Sequence, residues 1–403
     1  MVNVIGLGYI GLPTALMLAA HGVEVTGTDY NERVVRRLAS GETTFKERGL
    51  DGLFASAVKA GIRFTNHYIS TDTYIISVPT PYDKLTKLID PHFVVAAVRT
   101  VLGVCRDEAD IIIESTISPN TIDNDIRPLV AASGRTVNIA HAPERILPGN
   151  MLHELVNNNR TIGADSAEVA ERVRRLYASF CQGEIVCTDI RTAEMTKVVE
   201  NTFRAVNIAF ANELMRICHY SGMEVNEIIR ICNKHPRVNI MNPGPGVGGH
   251  CIPVDPWFLV GEYPQLTHMI AASLNVNASQ PEYALRRIGQ IMDMEGIGSA
   301  RRVGLYGLTY KADVDDYRES PALQLIEAQR RHLAEPLRCY DPYLEGRHIV
   351  ETQMDSFDEF IDSVDMVVVM VGHSHIGLHM DKLRDKVVLD CQNICPLTDK
   401  YTL

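Results

Sequence analysis

The chain has 403 residues, 46 % hydrophobic and 22 % charged, with a formal charge of −11. That length predicts two or three domains rather than one core, in an ordinary globular protein. The acidic sign without a long basic run argues against nucleic acid, and no apolar run reaches the roughly 18 residues of a membrane span. A first strand at Val2 leaves no room for a secretory leader, and nine cysteines without a C-x-x-C pair fit neither a disulfide scaffold nor a metal site. Reduced thiols in a cytoplasmic setting are the expectation.

In chain order, Val2–Leu7 reads as a strand running into a glycine turn and an apolar-faced helix from Leu12 to His21. Val23–Thr28 is a second strand, and 73–78, 110–114 and 136–140 continue the series with helical candidates between them. Continuous apolar strands alternating with helices predict a parallel sheet covered on both faces. From Thr192 to about Ser221 the apolar spacing changes to three and four (Met195, Val198, Phe203, Val206, Phe210, Leu214, Ile217), which is a long helix. A further helical stretch, Leu266 to about Met294, contains Pro281 and is expected to break or kink there. Strands resume at 303–308, 337–340, 366–370 and 387–390. The expected fold is α/β: two Rossmann-like parallel-sheet domains joined by a long central helix and a helical dimerisation segment, divided at 1–185, 186–297 and 298–403.

Gly6-Leu-Gly-Tyr-Ile-Gly11 follows a strand and opens a helix, and Asp29 ends the next strand. The pattern suits a dinucleotide: a tight turn, close approach of backbone to a pyrophosphate, a helix N-terminus facing negative charge, and a carboxylate on ribose hydroxyls. Asp29 favours NAD over NADP because it would repel a 2′-phosphate, a preference slightly weakened by Arg33. Gly6, Gly8, Tyr9, Ile10, Gly11, Asp29 and Arg33 are therefore cofactor candidates. At later strand ends, Ser77-Val-Pro-Thr80 and Glu114-Ser-Thr-Ile117 add Pro79, Thr80 and Thr116, and Ala142-Pro-Glu144 leaves a carboxylate after the next strand.

Lys197 and Asn201 share one face of the long helix, where a cation and an amide could hold an oxyanion or simply be solvated. In Gly244-Pro-Gly-Val-Gly-Gly-His-Cys-Ile-Pro-Val-Asp-Pro-Trp257 the glycines and prolines forbid regular structure around Cys251. On the residues alone the loop suits equally a ligand-facing thiol and a buried cysteine acting as a small hydrophobe. Beside a nicotinamide cofactor, a nucleophilic cysteine would permit aldehyde oxidation through a thioester, with Asp255 placed to orient water.

These motifs together resemble the UDP-glucose/GDP-mannose dehydrogenase family over essentially the whole chain. They are the glycine loop with Asp29, Ser115-Thr116, Pro143-Glu144, Lys197-x-x-x-Asn201, the Cys251 loop, and Gly307-Leu-Thr-Tyr-Lys311 leading to Arg318-Glu-Ser-Pro321. Within the family, the run from His235-Pro-Arg-Val-Asn to Cys251 looks like the branch acting on UDP-N-acetyl-D-mannosamine. UDP-glucose enzymes typically read Gly-Gly-Ser-Cys followed by Phe-Pro-Lys-Asp, where this chain has His250 for the serine and Val254 for the lysine.

The resemblance implies a four-electron oxidation of a sugar-nucleotide C6 alcohol to a carboxylate, with two NAD⁺ used in turn. It makes Cys251 the nucleophile and Lys197 and Asn201 the oxyanion donors. Asp255 and Glu144 would act through water or proton transfer, with Thr116 nearby. Glu144, Arg145, Lys197, Asn201, Arg237, Asn239, Gly248, His250, Lys311 and Arg318 would contact the UDP-sugar, and a homodimer or higher homo-oligomer is expected. One departure is Gln392, which stands where relatives often carry an arginine. The rival readings are the same chemistry on UDP-N-acetylglucosamine or UDP-glucose, a two-electron β-hydroxyacid dehydrogenase, and a non-catalytic nucleotide-binding protein.

Overall fold

Four consecutive buried residues, Val2–Ile5, make β1 of the computed structural model, which describes residues 1–83, 85–332, 335–397 and 400–403. The chain divides into two compact units: Met1–Glu200 with Phe258–Pro264, and Asn201–Trp257 with Gln265–Leu403.

In the first unit, β1, β2 (Val25–Thr28), β3 (Arg63–Thr65), β4 (Thr73–Ile76), β5 (Ala109–Ile113), β6 (Val137–His141), β7 (Arg160–Ala164) and β8 (Ile185–Thr188) form one sheet. Its order is β3-β2-β1-β4-β5-β6-β7-β8. The helices are α1 (Gly11–Ala20), α2 (Glu32–Ala39), α3 (Leu50–Lys59), α4 (His92–Val104), α5 (Arg127–Ser133), α6 (Met151–Asn157), α7 (Ala167–Tyr177) and the start of α8 (Ile190–Ser221). Strand residues alternate between two cores, as a two-residue period dictates. Val4, Ile75 and Ile112 pack with Leu16 and Phe54, while Ile5, Ile76 and Ile113 pack with Val94 and Val98. One ladder departs from the parallel pattern: β7 pairs antiparallel with β6 through Ala140–Ala164 and His141–Gly163. The chain order reverses between β1 and β4, and in such sheets the crevice at that switch point takes the ligand.

The second unit holds the remainder of α8, α9 (Val225–Cys232), the first turn of α10 (Asp255–Glu262), α11 (His268–Ala278) and α12 (Gln280–Glu295). It continues with β9 (Val303–Tyr306), α13 (Pro321–His332), β10 (Arg338–Tyr340), α14 (Phe357–Asp362), β11 (Met366–Val369), α15 (Ser374–Leu378), β12 (Val387–Asp390) and β13 (Tyr401–Thr402). The sheet runs β10-β9-β11-β12-β13, and every ladder is parallel. The expected break falls at Ser279, which ends α11, and Pro281 sits in the first turn of α12, where its missing N–H costs nothing. Among the described residues no helix is long and apolar enough to cross a membrane.

Candidate active site

The glycine loop is shaped by contacts that exclude side chains. Gly6 has φ +89°, and a Cβ on it would lie 2.2 Å from the Ser77 carbonyl oxygen. One on Gly11 would lie 1.9 Å from the Gly6 oxygen, so the ends of β1 and β4 and the start of α1 close on one another through these two residues. Gly8 differs, because a Cβ there meets nothing within 4 Å. Its bareness is not required by the protein and suits the close approach of a ligand. No side chain caps α1 and no acid sits in its first turn, leaving a positive helix end beside this space. Tyr9 lies against Phe45, ring centroids 4.4 Å apart, and Ile10 is the residue before α1.

Asp29 is buried just beyond β2. Its Oδ2 accepts the Leu7 N–H and its Oδ1 the Asn31 N–H, both at 2.8 Å. Each oxygen keeps a lone pair, so the carboxylate clamps the glycine loop and can still receive ribose hydroxyls. Arg33 is exposed on α2. This arrangement fits a dinucleotide.

At the following strand ends the hydroxyls divide. Ser115 is consumed structurally: its Oγ accepts the Val78 N–H at 2.9 Å and donates to the Val78 carbonyl at 2.8 Å. Thr116 is half-buried, Thr80 is buried and Pro79 is exposed. After β6, the Glu144 Oε1 accepts the Arg145 N–H at 2.6 Å, and its Oε2 bonds Arg160. Arg145 is held by Thr161 at 2.6 Å and Glu200 at 3.0 Å. Lys197 on α8 is only 6 % exposed, and its side chain makes no hydrogen bond or ion pair among the described residues.

In the second unit, Asn201 Nδ2 donates to Asp255 Oδ2 at 2.6 Å, and both residues are buried. The Cys251 carbonyl accepts the Val254 and Asp255 N–H groups at 3.0 and 2.8 Å. The loop therefore turns directly into α10, with the half-buried thiol one turn before Asp255. Gly248 and Gly249 let this loop lie on Tyr310: added Cβ atoms would come within 2.7 and 2.8 Å of that residue's side chain. The Gly249 N–H also bonds the Arg318 carbonyl at 2.9 Å. His250 keeps an exposed edge, and its imidazole is pushed below the ordinary value by burial of the remainder and by the Arg318 guanidinium.

The other proposed substrate residues are less gathered. Arg318 forks onto Asp316, with Nη2 at 2.6 Å, and Lys311 is exposed. Arg237 and Asn239 are exposed on the loop after α9, where the Asn239 carbonyl accepts from Asn207 at 3.0 Å. Gln392 donates to the Met370 carbonyl at 2.8 Å, a backbone tie within the sheet.

Sequence reasoning missed the amides that hold the cysteine loop. Asn212 of α8 accepts the Gly244 N–H at 3.0 Å and donates to Asn277, while Gln280 donates to the Gly244 carbonyl at 2.8 Å. Asn212 lies three and seven residues from buried Ala209 and Ala205, and that spacing was a legible sign that it faces inward. Glu114 and Arg160 were also passed over as functional residues.

Three family models match the chain. They are the NAD binding domain (residues 1–181), the central domain (191–279) and the UDP binding domain (304–396) of the UDP-glucose/GDP-mannose dehydrogenase family. A UDP-N-acetyl-D-mannosamine dehydrogenase of Methanococcus maripaludis is 40 % identical over 97 % of this chain and 92 % of its own. An NDP-N-acetyl-D-galactosaminuronic acid dehydrogenase of Ralstonia nicotianae is 37 % identical over 98 % and 96 %. The solved UDP-N-acetyl-mannosamine dehydrogenase of Staphylococcus aureus superposes with a TM-score of 0.88 at 37 % identity, covering 100 % of this chain and 97 % of that one.

Proposed function

Because the chain belongs to the UDP-glucose/GDP-mannose dehydrogenase family, and so uses NAD, we propose that it oxidises UDP-N-acetyl-D-mannosamine at C6 to the uronate. The observation that carries this reading is the Cys251 loop: a half-buried thiol one helical turn before an aspartate oriented by Asn201. The sugar assignment is supported by the His235–Cys251 run and by the relatives that act on N-acetylated amino-sugar nucleotides.

Bound NAD⁺ supplies the hydride acceptor. Lys197, a buried cation with no ion pair among the described residues, stabilises negative charge developing on the C6 oxygen. The Cys251 sulfur adds to the aldehyde carbon to give a thiohemiacetal, whose oxidation leaves a thioester. Water, held through Asp255, then adds to the acyl carbon, and the C–S bond breaks to release the carboxylate and restore the thiol. Asn201 fixes the Asp255 carboxylate for that step, and Glu144 receives or relays protons. The four electrons lost in the oxidation leave as two hydrides, one to each of two NAD⁺, protons are released, and the second oxygen of the acid comes from water.

Exposed Phe203, Phe210 and Ile217 recur every seven residues along α8, which supports a second copy of the chain as partner. The deciding experiment measures NADH formed per sugar consumed with UDP-N-acetyl-D-mannosamine, UDP-N-acetylglucosamine and UDP-glucose. Two NADH with the mannosamine sugar preferred is expected, and Cys251→Ser should end acid formation. One NADH per sugar, or undiminished acid from the variant, would refute the thioester step.

A further inference from the structure

Glu114 is the first residue beyond β5, and its side chain is enclosed in the first unit. Its Oε1 accepts from the Tyr177 hydroxyl at 3.2 Å and the Thr14 hydroxyl at 3.3 Å, and stands 3.9 Å from Arg160 Nη1. Its Oε2 has no hydrogen-bond partner among the described residues, nor does Arg160 Nη1. Arg160 lies over the Tyr177 ring at 4.5 Å and the Phe180 ring at 5.3 Å. Its Nη2 makes a close bond to Glu144 Oε2. Two carboxyls thus share one guanidinium, and all three side chains are at most 5 % exposed.

The charges do not balance if both acids ionise. A net negative charge in such dry surroundings costs several kcal/mol, whereas one retained proton leaves a compensated pair. Geometry decides which acid keeps it. Glu144 has a direct hydrogen bond to Arg160 and a backbone N–H, while Glu114 has only long hydroxyl contacts and one bare oxygen. We propose that Glu114, Arg160 and Glu144 act as one charge-balanced unit sharing a single proton, in which Glu114 is a positioning residue that fixes the orientation and charge of Glu144. Ionised Glu114 competes with Glu144 for Arg160 and repels it, so the unit sets an alkaline limit on activity.

The surrounding groups do not supply the missing charge. Tyr177 from α7 is held well above the ordinary tyrosine value by burial and by Glu114, so it remains neutral. His141 at the end of β6 gives a ring nitrogen to the Ile113 carbonyl at 2.9 Å and is pushed down to about 4 by burial, so it too is uncharged. Thr14 of α1 carries no charge, and the Cys181 thiol beyond α7 bonds the Asn158 carbonyl at 3.4 Å. Burial, and then the Glu144 charge, push the Glu114 carboxyl up to about 8.

The role of Glu144 rests on the function proposed above, so the test needs a readout independent of turnover. A carboxyl raised in the fold binds its proton more tightly than the unfolded chain does. Stability is therefore unaffected below the unfolded value and declines as pH rises from there to about 8.

Thermal midpoints of the wild type, Glu114→Gln and Glu114→Met should be measured from pH 5 to 9, with kcat and KM over the same range. The wild type should lose this component of stability across pH 5–8, and kcat should fall about tenfold per unit above that range. Both variants keep the neutral state, so both should flatten the stability profile and move the alkaline limb of kcat upward, while the KM for NAD is maintained. Superimposable wild-type and variant profiles would overturn the proposal. Failure of both variants to fold at pH 7 would do the same, because it would show that the fold needs a charged Glu114. If no sugar nucleotide turns over, the thermal profiles still decide the shared proton, and only the proposed activity falls.

Discussion

The first strand of each sheet runs into nearly the same four residues, Gly6-Leu-Gly-Tyr9 and Gly307-Leu-Thr-Tyr310, and the two loops are clamped alike. Gly6 and Gly307 have φ +89° and +91°. The next residue, Leu7 or Leu308, gives its N–H to a carboxylate just beyond the neighbouring strand: Asp29 at 2.8 Å, Asp341 at 2.6 Å. Each aspartate also accepts the N–H two residues after itself, from Asn31 or Tyr343. An acid in this place is therefore first a structural clamp. What differs is what remains available afterwards.

Asp341 is saturated at one oxygen. Its Oδ2 also takes the Thr309 N–H at 3.0 Å and lies 3.3 Å from Nε2 of the buried His373, whose Nδ1 accepts the Asp313 N–H and so leaves the proton on Nε2. Where the first loop has Gly8 and open space, the second has a fully buried Thr309; where the first starts a helix at Gly11, the second continues as loop until Pro321. The clamp left incomplete at Asp29 is what keeps that carboxylate able to receive a dinucleotide.

The largest contrast should come from the clamps themselves. Asp341→Asn sets an amide against backbone N–H donors in a closed site and should cost about 3 kcal/mol of stability, with NAD affinity kept by the folded fraction. Burial opposes ionisation of Asp341, but the hydrogen bonds from His373 and from the Tyr343 and Thr309 N–H groups outweigh it and hold the carboxyl below its ordinary value. That stability is present above about pH 4 and lost as acid protonates the group. The variant should therefore show a weaker acid limb in a thermal melt. Asp29→Asn should do the reverse, losing less stability and weakening NAD by tenfold or more, about 1.4 kcal/mol. Equal effects of the two substitutions on NAD would break the comparison.

A smaller effect separates loop from ligand. Gly8→Ala adds a methyl where the protein offers no contact, so its stability should hold to about 0.5 kcal/mol in a thermal melt. Calorimetric NAD affinity should nevertheless fall about tenfold, because the pyrophosphate backbone approach is blocked. Unchanged affinity would mean that the open space at Gly8 is not the cofactor's.

Much of this was legible because it lies in local patterns: the alternation that gives strands, the glycines that permit close approach, and the helix break at Pro281. The misses have physical causes. β7 reads Arg-Thr-Ile-Gly-Ala, and its buried arginine hides it as a strand; β3 and β13 are too short to show a period. The setting of Glu114 was invisible because its partners stand tens of residues away in sequence, as far as 100 for Thr14, and no spacing rule connects them. Asp29 was read for its ligand role alone, and its service as a clamp emerges only from the Leu7 and Asn31 N–H groups it accepts.

The smallest predicted effect lies four residues beyond each clamp, where the first unit exposes Arg33 and the second exposes Glu345. An exposed cation near Asp29 offsets part of the repulsion that a 2′-phosphate would meet, but solvent screens it and limits it to about 1 kcal/mol or less. Arg33→Ala should therefore leave the KM for NAD within about twofold and lower residual use of NADP by no more than about fivefold. Raised salt should shrink that difference, since the interaction is electrostatic and solvent-exposed. If NADP use instead rose on removing Arg33, the positive charge would not be facing the 2′ position. The discrimination would then belong to Asp29 alone, and the charge reversal between the two loops would be a surface difference without consequence for the cofactor.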